Sequence, residues 1–288
     1  MHGEVMGQSD PRLYVVATPI GNLRDVSLRA LEVLGSADVV AAEDTRVTQK
    51  LLQHHGIRAK MIPVHEHNER RGAERIVALL REGKTIALVT DAGTPGISDP
   101  GAPVVAAVRA AGFPVTPIPG ANAAVTALSA AGRAADRFLF CGFLPPRPAA
   151  RRKELERMKG LPFLLVFYEA PHRVQETLAD LRDVLGSERE ITIAREITKQ
   201  FESFHTCALG DAEQWVRADA NRGKGEFVLL VEGALTAPDA GEASAEHALR
   251  VLLGELPLRQ AVALAAAVSG ASRNRLYQLA LELKAGAQ

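Results

Sequence analysis

Cysteine is nearly missing from this chain: Cys141 and Cys207 are the only two. They are too few and too far apart for a disulfide framework or a cysteine metal site, which suits a reducing cytosol. Net charge is missing as well, because 34 Lys and Arg offset 34 Asp and Glu. No global basic field recruits nucleic acid, so any such contact rests on local patches. No apolar run approaches the ~20 residues of a membrane span, and MHGEVMGQSD lacks the apolar core of a signal peptide. The expectation is a cytoplasmic protein without membrane contact or metal. No GxGxxG follows the first strand-like run, which argues against a dinucleotide-dependent oxidoreductase; GKGEFV at 223–228 runs into a strand and has the wrong context. What is present is ordinary for a globular protein: 288 residues, 47% hydrophobic and 24% charged, a length that suggests about two domains.

The chain is organised around residues 85–101, TIALVTDAGTPGISDPG. Ile86–Val89 is a short apolar run of the kind that forms a buried strand in a helix-covered sheet. It empties into a loop in which Gly93, Gly96 and Gly101 admit backbone angles or approaches that a side chain forbids, while Pro95 and Pro100 stiffen the path. Ile97 apart, every residue from Ala92 to Ser98 is small or a proline, more than a crossover turn requires. Asp99 before Pro100 reads as a helix cap, with Val104–Ala110 as the helix body. The carboxyl end of a parallel strand followed by a helix is where α/β proteins bind ligands.

Around this loop the pattern repeats. Strands are expected at Leu13–Ala17, Val39–Ala42, Met61–Val64 and Pro114–Ile118. Helices are expected from Leu28 to a stop at Gly35, over Gln49–His55, over 70–82 with Ile76, Leu79 and Leu80 inward, and through the small-residue stretch 119–132. Polar clusters sit at the strand ends. The pattern restarts with strands at Phe138–Phe143, Phe163–Tyr168, Ile191–Ala194 and Phe227–Val231, and a helix at Val174–Leu185. Arg147–Lys159 reads as a solvated helix face. Residues 234–245 read as a small-residue linker, and 246–288 as a helical tail in which a Gly-containing turn and Ser272 precede Arg273, Asn274 and Arg275, a helix-turn-helix-like unit. The expected fold class is α/β: a mainly parallel sheet in a domain at 1–123, a mixed sheet at 124–236, and the tail at 237–288.

LYVVATPIGNLRDVSLRALEVL, AAEDTR, HEHNE, TDAGTPGISDPG, PGANA, YEAPHR, REITK and GEFVLLVEG stand in the order found in the ribosomal RNA small subunit methyltransferase I family, which the chain resembles from residue 12 onward. Val47 departs from a usually polar position, and Thr206-Cys207 from a commonly basic and glycine-containing pair. The resemblance implies a two-domain tetrapyrrole-methylase-like fold, commonly homodimeric, with S-adenosylmethionine in the interdomain cleft. It implies 2′-O-methylation of a cytidine ribose in the decoding region of 16S rRNA within the small ribosomal subunit. It places the cofactor against Pro19, Gly21, Asp91, Ala92, Gly93, Thr94, Pro95, Gly96, Gly120, Ala121, Asn122 and Tyr168.

Methyl transfer from a sulfonium disperses cationic charge, so alignment matters most, with a base to take the hydroxyl proton. Glu43, Asp44, Glu66 and Glu169 are the chosen candidates for that base, among strand-end groups that also include His65, His172 and Glu196; the sequence does not select one. Arg46, His67, Arg173, Arg195, Lys199, Arg273 and Arg275 are the expected substrate contacts, arginine offering a fork of donors that matches phosphate. A tetrapyrrole C-methyltransferase and a non-catalytic RNA-binding assembly protein stand as alternatives.

Overall fold

A computed structural model describes residues 10–132, 136–234 and 240–285. The first lobe runs β1 (Leu13–Val16), α1 (Leu28–Ser36), β2 (Val39–Ala42), α2 (Thr45–His54), β3 (Met61–Pro63), α3 (Glu69–Arg81), β4 (Ile86–Val89), α4 (Ala102–Ala110), β5 (Val115–Ile118) and α5 (Ala123–Ala130). Its five strands lie in the order β3-β2-β4-β1-β5, and every pairing is parallel. Successive strand residues face opposite sides, so both faces are lined by apolar side chains. Val39, Ala41, Ile86 and Leu88 pack with Ile76 and Leu80 of α3 and Val104 and Val108 of α4. Val40, Ala42, Ala87 and Val89 pack with Val33 and Leu34 of α1 and Leu51 and Leu52 of α2.

The second lobe runs β6 (Phe138–Phe143), α6 (Pro148–Met158), β7 (Leu164–Glu169), α7 (Val174–Leu185), β8 (Glu190–Arg195), β9 (Ser203–Ala208), α8 (Leu209–Arg217) and β10 (Phe227–Val231). Its order is β6-β7-β10-β8-β9; β6 and β7 are parallel and the other pairings antiparallel. The sheets are joined through one core: Ala124 and Ala127 of α5, with Ile20, pack on Leu164, Val166, Val228 and Leu230. Both lobes fall in one compact unit, Met1–Lys159 with Phe163–Glu232; Gly160–Pro162 and Gly233–Gln288 make the other. In that other unit α9 (Ala240–Glu255), α10 (Leu258–Ser269) and α11 (Arg273–Ala285) bury Leu249, Ala261, Ala265, Leu276 and Ala280 among themselves.

Several expectations need correction. Helix α1 continues through Gly35 to Ser36. Helix α2 starts at Thr45, because the Asp44 side chain accepts from Arg46 N and caps it. The cap residue of α4 is Gly101, not Asp99, with the proline at 103 in its first turn. The linker is shorter than expected: α9 begins at Ala240, and 235–239 lie outside the described residues. Strand β9 and helix α8 were not anticipated.

The basic face of α6 is not wholly solvated either. Arg151 is 1% exposed and its Nε donates to Asp180 at 2.6 Å, while Arg152 donates to the other Asp180 oxygen at 2.5 Å. Removing one partner of a buried pair strands the other charge, at a cost of about 3–5 kcal/mol. Asp180→Ala is therefore expected to lower unfolding stability by about 3 kcal/mol in a urea titration, with Arg152→Ala, whose side chain is mostly exposed, costing far less.

Candidate active site

The carboxyl ends of the parallel strands converge on one edge, and the loops leaving them are tied together. Thr18 and Gly93 exchange backbone hydrogen bonds of 2.8 and 3.1 Å, fastening the loop after β1 to the loop after β4. Thr94 Oγ1 donates to the Ala121 carbonyl at 3.1 Å, adding the loop after β5. Glu69, at the start of α3, accepts from Gly101 N at 2.6 Å and fixes the far end of the central loop. Within that loop Gly93 and Gly96 have φ of 78° and 81°, where a side chain is strained.

Second-lobe residues close the space above these loops into a cavity of about 490 Å³. Its first-lobe side is small and backbone-rich, including Ile20, Ala92, Gly93, Thr94, Asn122 and Ala123. Its second-lobe side carries Phe143, Tyr168, Glu169, His172, Ile197 and Phe227. Tyr168 stands edge-on to Phe140 and Phe143 at 5.0 and 5.7 Å, and its hydroxyl accepts from Ala124 N at 3.1 Å. Burial raises the Tyr168 pKa, so this hydroxyl stays neutral.

Acidic groups gather on the first-lobe rim. Asp91 N donates to Glu43 at 3.2 Å and Asp44 N to Asp91 at 3.0 Å. Asp44 also holds the Arg46 guanidinium at 2.5 Å, which with the cap bond keeps its carboxyl down at about 2. Desolvation raises Glu43, with help from nearby carboxylates. Asp99 lines the cavity itself. Although solvent reaches it, partial desolvation and the like charges of Glu43 and Asp91 push its carboxyl up to about 6.

The residues chosen from sequence thus divide. Ala92, Gly93, Thr94, Asn122 and Tyr168 line the cavity. Pro19, Gly21, Asp91, Pro95, Gly96, Gly120 and Ala121 shape or brace the loops behind it: a Cβ on Gly21 would sit 2.6 Å from Lys199 Cγ, and one on Gly120 2.9 Å from Ala17 Cβ. Among the acids, Glu43 and Asp44 are occupied as described. Glu169 reaches the cavity wall, yet its oxygens accept from Thr177 Oγ1 at 2.6 Å and Ala170 N at 2.8 Å and pair with Arg173. Glu66 and His67 lie exposed in the single turn Glu66–Asn68.

The basic residues divide similarly. Arg173 donates to the Leu144 carbonyl at 2.7 Å, Arg195 to the Lys224 and Phe201 carbonyls, and Lys199 pairs with Glu196 and Glu226. These three brace the second lobe. The Arg46 side chain is 87% exposed, and Arg273 and Arg275 open α11. Sequence reasoning missed Asp99, whose Asp-Pro pairing imitates a helix cap; its place as an acid inside the glycine loop was the available signal. Among the described residues, no cluster of His, Cys, Asp and Glu suited to a metal is found, and no helix is long and apolar enough to cross a membrane.

A glycine-cradled cavity at the strand ends of a parallel sheet, roofed by a mixed second sheet, is the architecture of the tetrapyrrole (corrin/porphyrin) methylases, and the family model of that description matches residues 12–213. Solved structures agree on the fold. A cobalt precorrin-4 methyltransferase of cobalamin biosynthesis superposes with a TM-score of 0.59 at 19% identity, over 79% of this chain and 98% of its own. A uroporphyrin-III C-methyltransferase from Thermus thermophilus does so with 0.51 at 22%, over 76% and 94%. A second family model, the RsmI C-terminal HTH domain, matches residues 239–284. Proteins named Ribosomal RNA small subunit methyltransferase I are 50% identical in Escherichia coli O157:H7, over 95% of this chain and 96% of the relative, and 50% identical in Pseudomonas aeruginosa, over 94% and 96%. The chain belongs to the ribosomal RNA small subunit methyltransferase I family. The methyl donor of this methylase family is S-adenosylmethionine, and the site suits it: the cradle has no Cβ at Gly93 or Gly96, Ala92, Gly93 and Ala123 leave room along one wall, and rim carboxylates complement a cation.

Proposed function

We propose that the protein methylates the 2′-hydroxyl of a cytidine ribose in the decoding region of 16S rRNA, on the small ribosomal subunit in the cytoplasm. The observation that carries this reading is the pairing, in one chain, of the methylase cavity with the C-terminal helical unit whose family model belongs to the ribosomal RNA methyltransferases. When bound, S-adenosylmethionine supplies an electrophilic methyl group on a sulfonium. The chain's own part is to hold and aim. Ala92, Gly93 and Ala123 wall the cavity with little side-chain bulk, the Gly93 amide and carbonyl being tied to Thr18, while Glu43, Asp91 and Asp99 set a negative potential that favours a cationic donor.

The ribose hydroxyl loses its proton during transfer, and Asp99 is our choice of acceptor. It lines the cavity, no hydrogen bond or ion pair among the described residues occupies its oxygens, and its carboxyl, titrating at about 6, lies where a general base works at neutral pH. Glu43, Asp44 and Glu169, by contrast, serve as acceptors within the fold. In this reading Arg46 on the rim and Arg273 and Arg275 on α11 contact the phosphate backbone. The protein acts as a homodimer, a state supported by exposed Phe138 and Leu139 on edge strand β6.

The test is mass spectrometry of rRNA from purified small subunits of a strain lacking the activity, incubated with protein and S-adenosylmethionine. One added methyl on a cytidine ribose is expected; methylation of a base, or none, defeats the reading. Replacing both Arg273 and Arg275 by Ala is expected to raise the KM for subunits and flatten its salt dependence, each phosphate contact contributing a slope of about 0.7–0.9 in log–log form. The affinity for S-adenosylmethionine is expected to stay unchanged.

A further inference from the structure

Phe201 is 64% exposed, more than Phe143 at 54% or Phe138 at 44%. It makes no ring contact among the described residues, in a chain with only 9 Phe, 3 Tyr and 1 Trp. Its position is built rather than loose. It lies at the tip of the β8–β9 hairpin, in a segment where two residues other than glycine, Glu196 and Thr198, have φ of 51° and 68°. Such backbone persists only where its surroundings over-determine it, and it clusters at functional sites.

The surroundings do so here. Glu202 accepts from Thr198 N at 2.6 Å, Lys199 Nζ donates to Glu196 at 2.8 Å and to Glu226 at 2.9 Å, and Arg195 Nη1 donates to the Phe201 carbonyl at 3.1 Å. The same segment reaches the active site: its Ile197 lines the cavity, as does Glu226, the partner of Lys199 just before β10, and Lys199 abuts Gly21. The fold thus spends strain and five polar groups to hold a bare aromatic ring a few residues from the cavity wall.

On the reading given above, we infer that Phe201 is a stacking platform for a nucleobase of the substrate strand, beside the ribose that enters the cavity. A 2′-hydroxyl reaches a recessed cavity only when its nucleotide is splayed from its neighbours. That leaves base faces uncovered, and proteins that bind unstacked RNA cover such faces with aromatic rings. A ring held on a stiff tip loses little conformational freedom on binding. The occupant is the flat face of a base; its hydrogen-bonding edge is not read by this contact.

The experiment compares Phe201→Ala, Phe201→Leu, Phe201→Tyr and Phe201→Trp with wild type in steady-state methylation of small subunits. Calorimetric titration of S-adenosylmethionine and sedimentation of each variant accompany it. The Ala and Leu variants are expected to lose about tenfold in kcat/KM, mostly through KM, because stacking on one base is of that order. Tyr and Trp are expected to retain activity, with cofactor affinity and oligomeric state unchanged throughout. A Leu variant as active as wild type would overturn the inference, since apolar area alone would then suffice. Weaker cofactor binding by the Ala variant would reassign the ring to bracing the hairpin, and a changed sedimentation coefficient would reassign it to a subunit contact. Wild-type protein that leaves subunits unmethylated would instead remove the underlying reading.

Discussion

Gly93→Val and Gly96→Val are each expected to weaken S-adenosylmethionine binding at least a hundredfold in a calorimetric titration, with the far-ultraviolet dichroism unchanged. Both residues have left-handed φ, 78° and 81°, which costs an L residue roughly 1–2 kcal/mol, more when β-branched. A Cβ alone would fit at ordinary contact distance, but nothing larger has room to spare. A Cβ on Gly93 would touch Ile20 Cγ2 at 3.5 Å and the Ala121 carbonyl at 3.8 Å, and one on Gly96 would lie 3.6 Å from Ala102 N. Valine's two methyls extend beyond those contacts into the cavity or against the loops that shape it. Gly83→Val separates strain from site: Gly83 has φ of 82° but a Cβ added there would meet nothing within 4 Å, so the variant is expected to lose similar stability and keep full cofactor affinity. Unimpaired binding by the Gly93 and Gly96 variants would remove the cradle from the site.

Asp99→Asn is expected to lower kcat about a hundredfold or more, the usual contribution of a positioned base, with a smaller loss of S-adenosylmethionine affinity, because Glu43 and Asp91 keep most of the negative potential that favours the cation. The pH profile carries the sign. A base titrating at about 6 is ionised at pH 8 and protonated at pH 5, so wild-type kcat/KM is expected to fall on the acid side with a midpoint near 6, and the Asn variant is expected to lose that limb. Stability runs the other way. The folded carboxyl titrates above its reference of 3.8, so its contribution to folding is present in full below that value and lost as pH rises through about 6. Asparagine escapes this loss, and at pH 8 the variant is expected to melt no lower than wild type. A variant with normal kcat, or one that melts much lower, would return Asp99 to the scaffold.

Much of the fold is legible in the sequence because its strands are of the fully buried kind. Val39–Ala42, Ile86–Val89 and Phe227–Val231 are unbroken apolar runs, and the structure buries every residue in them. The helix Val174–Leu185 is equally plain, ending at Gly186. Strand β9 is hidden for the opposite reason: SFHTCA lies at a sheet edge with no fully buried residue, so neither an apolar run nor a clean alternation marks it. The start of α9 is hidden because alanine, glycine and serine signal a linker by composition, whereas the alanines also favour helix.

At the site, the glycine loop is readable because glycine at a strand end has few other uses. Tertiary convergence is not readable in the same way. No spacing in the sequence shows that Ile197 and Phe227 stand opposite Gly93, nor that Arg173 and Arg195 are consumed by carbonyls. Asp99 differs from Glu43 and Asp44 in lining the cavity and in having no hydrogen-bond or ion-pair partner among the described residues, and both are properties of the folded neighbourhood.

Helix α5 follows the last strand of the first sheet, yet Ala124 and Ala127 are buried against strands of the second. The two lobes consequently meet at this helix, where Ile20 of the first packs into the core of the second. Swinging them apart like a clamshell at the loop before α5 would leave Ala124 and Ala127 on the second sheet, bonded to Tyr168, but would draw Ile20, from the loop after β1, out of the core it shares with them. Widening the cleft between the lobes therefore costs the burial of Ile20, which favours entry past the rim segments over a parting of the two sheets.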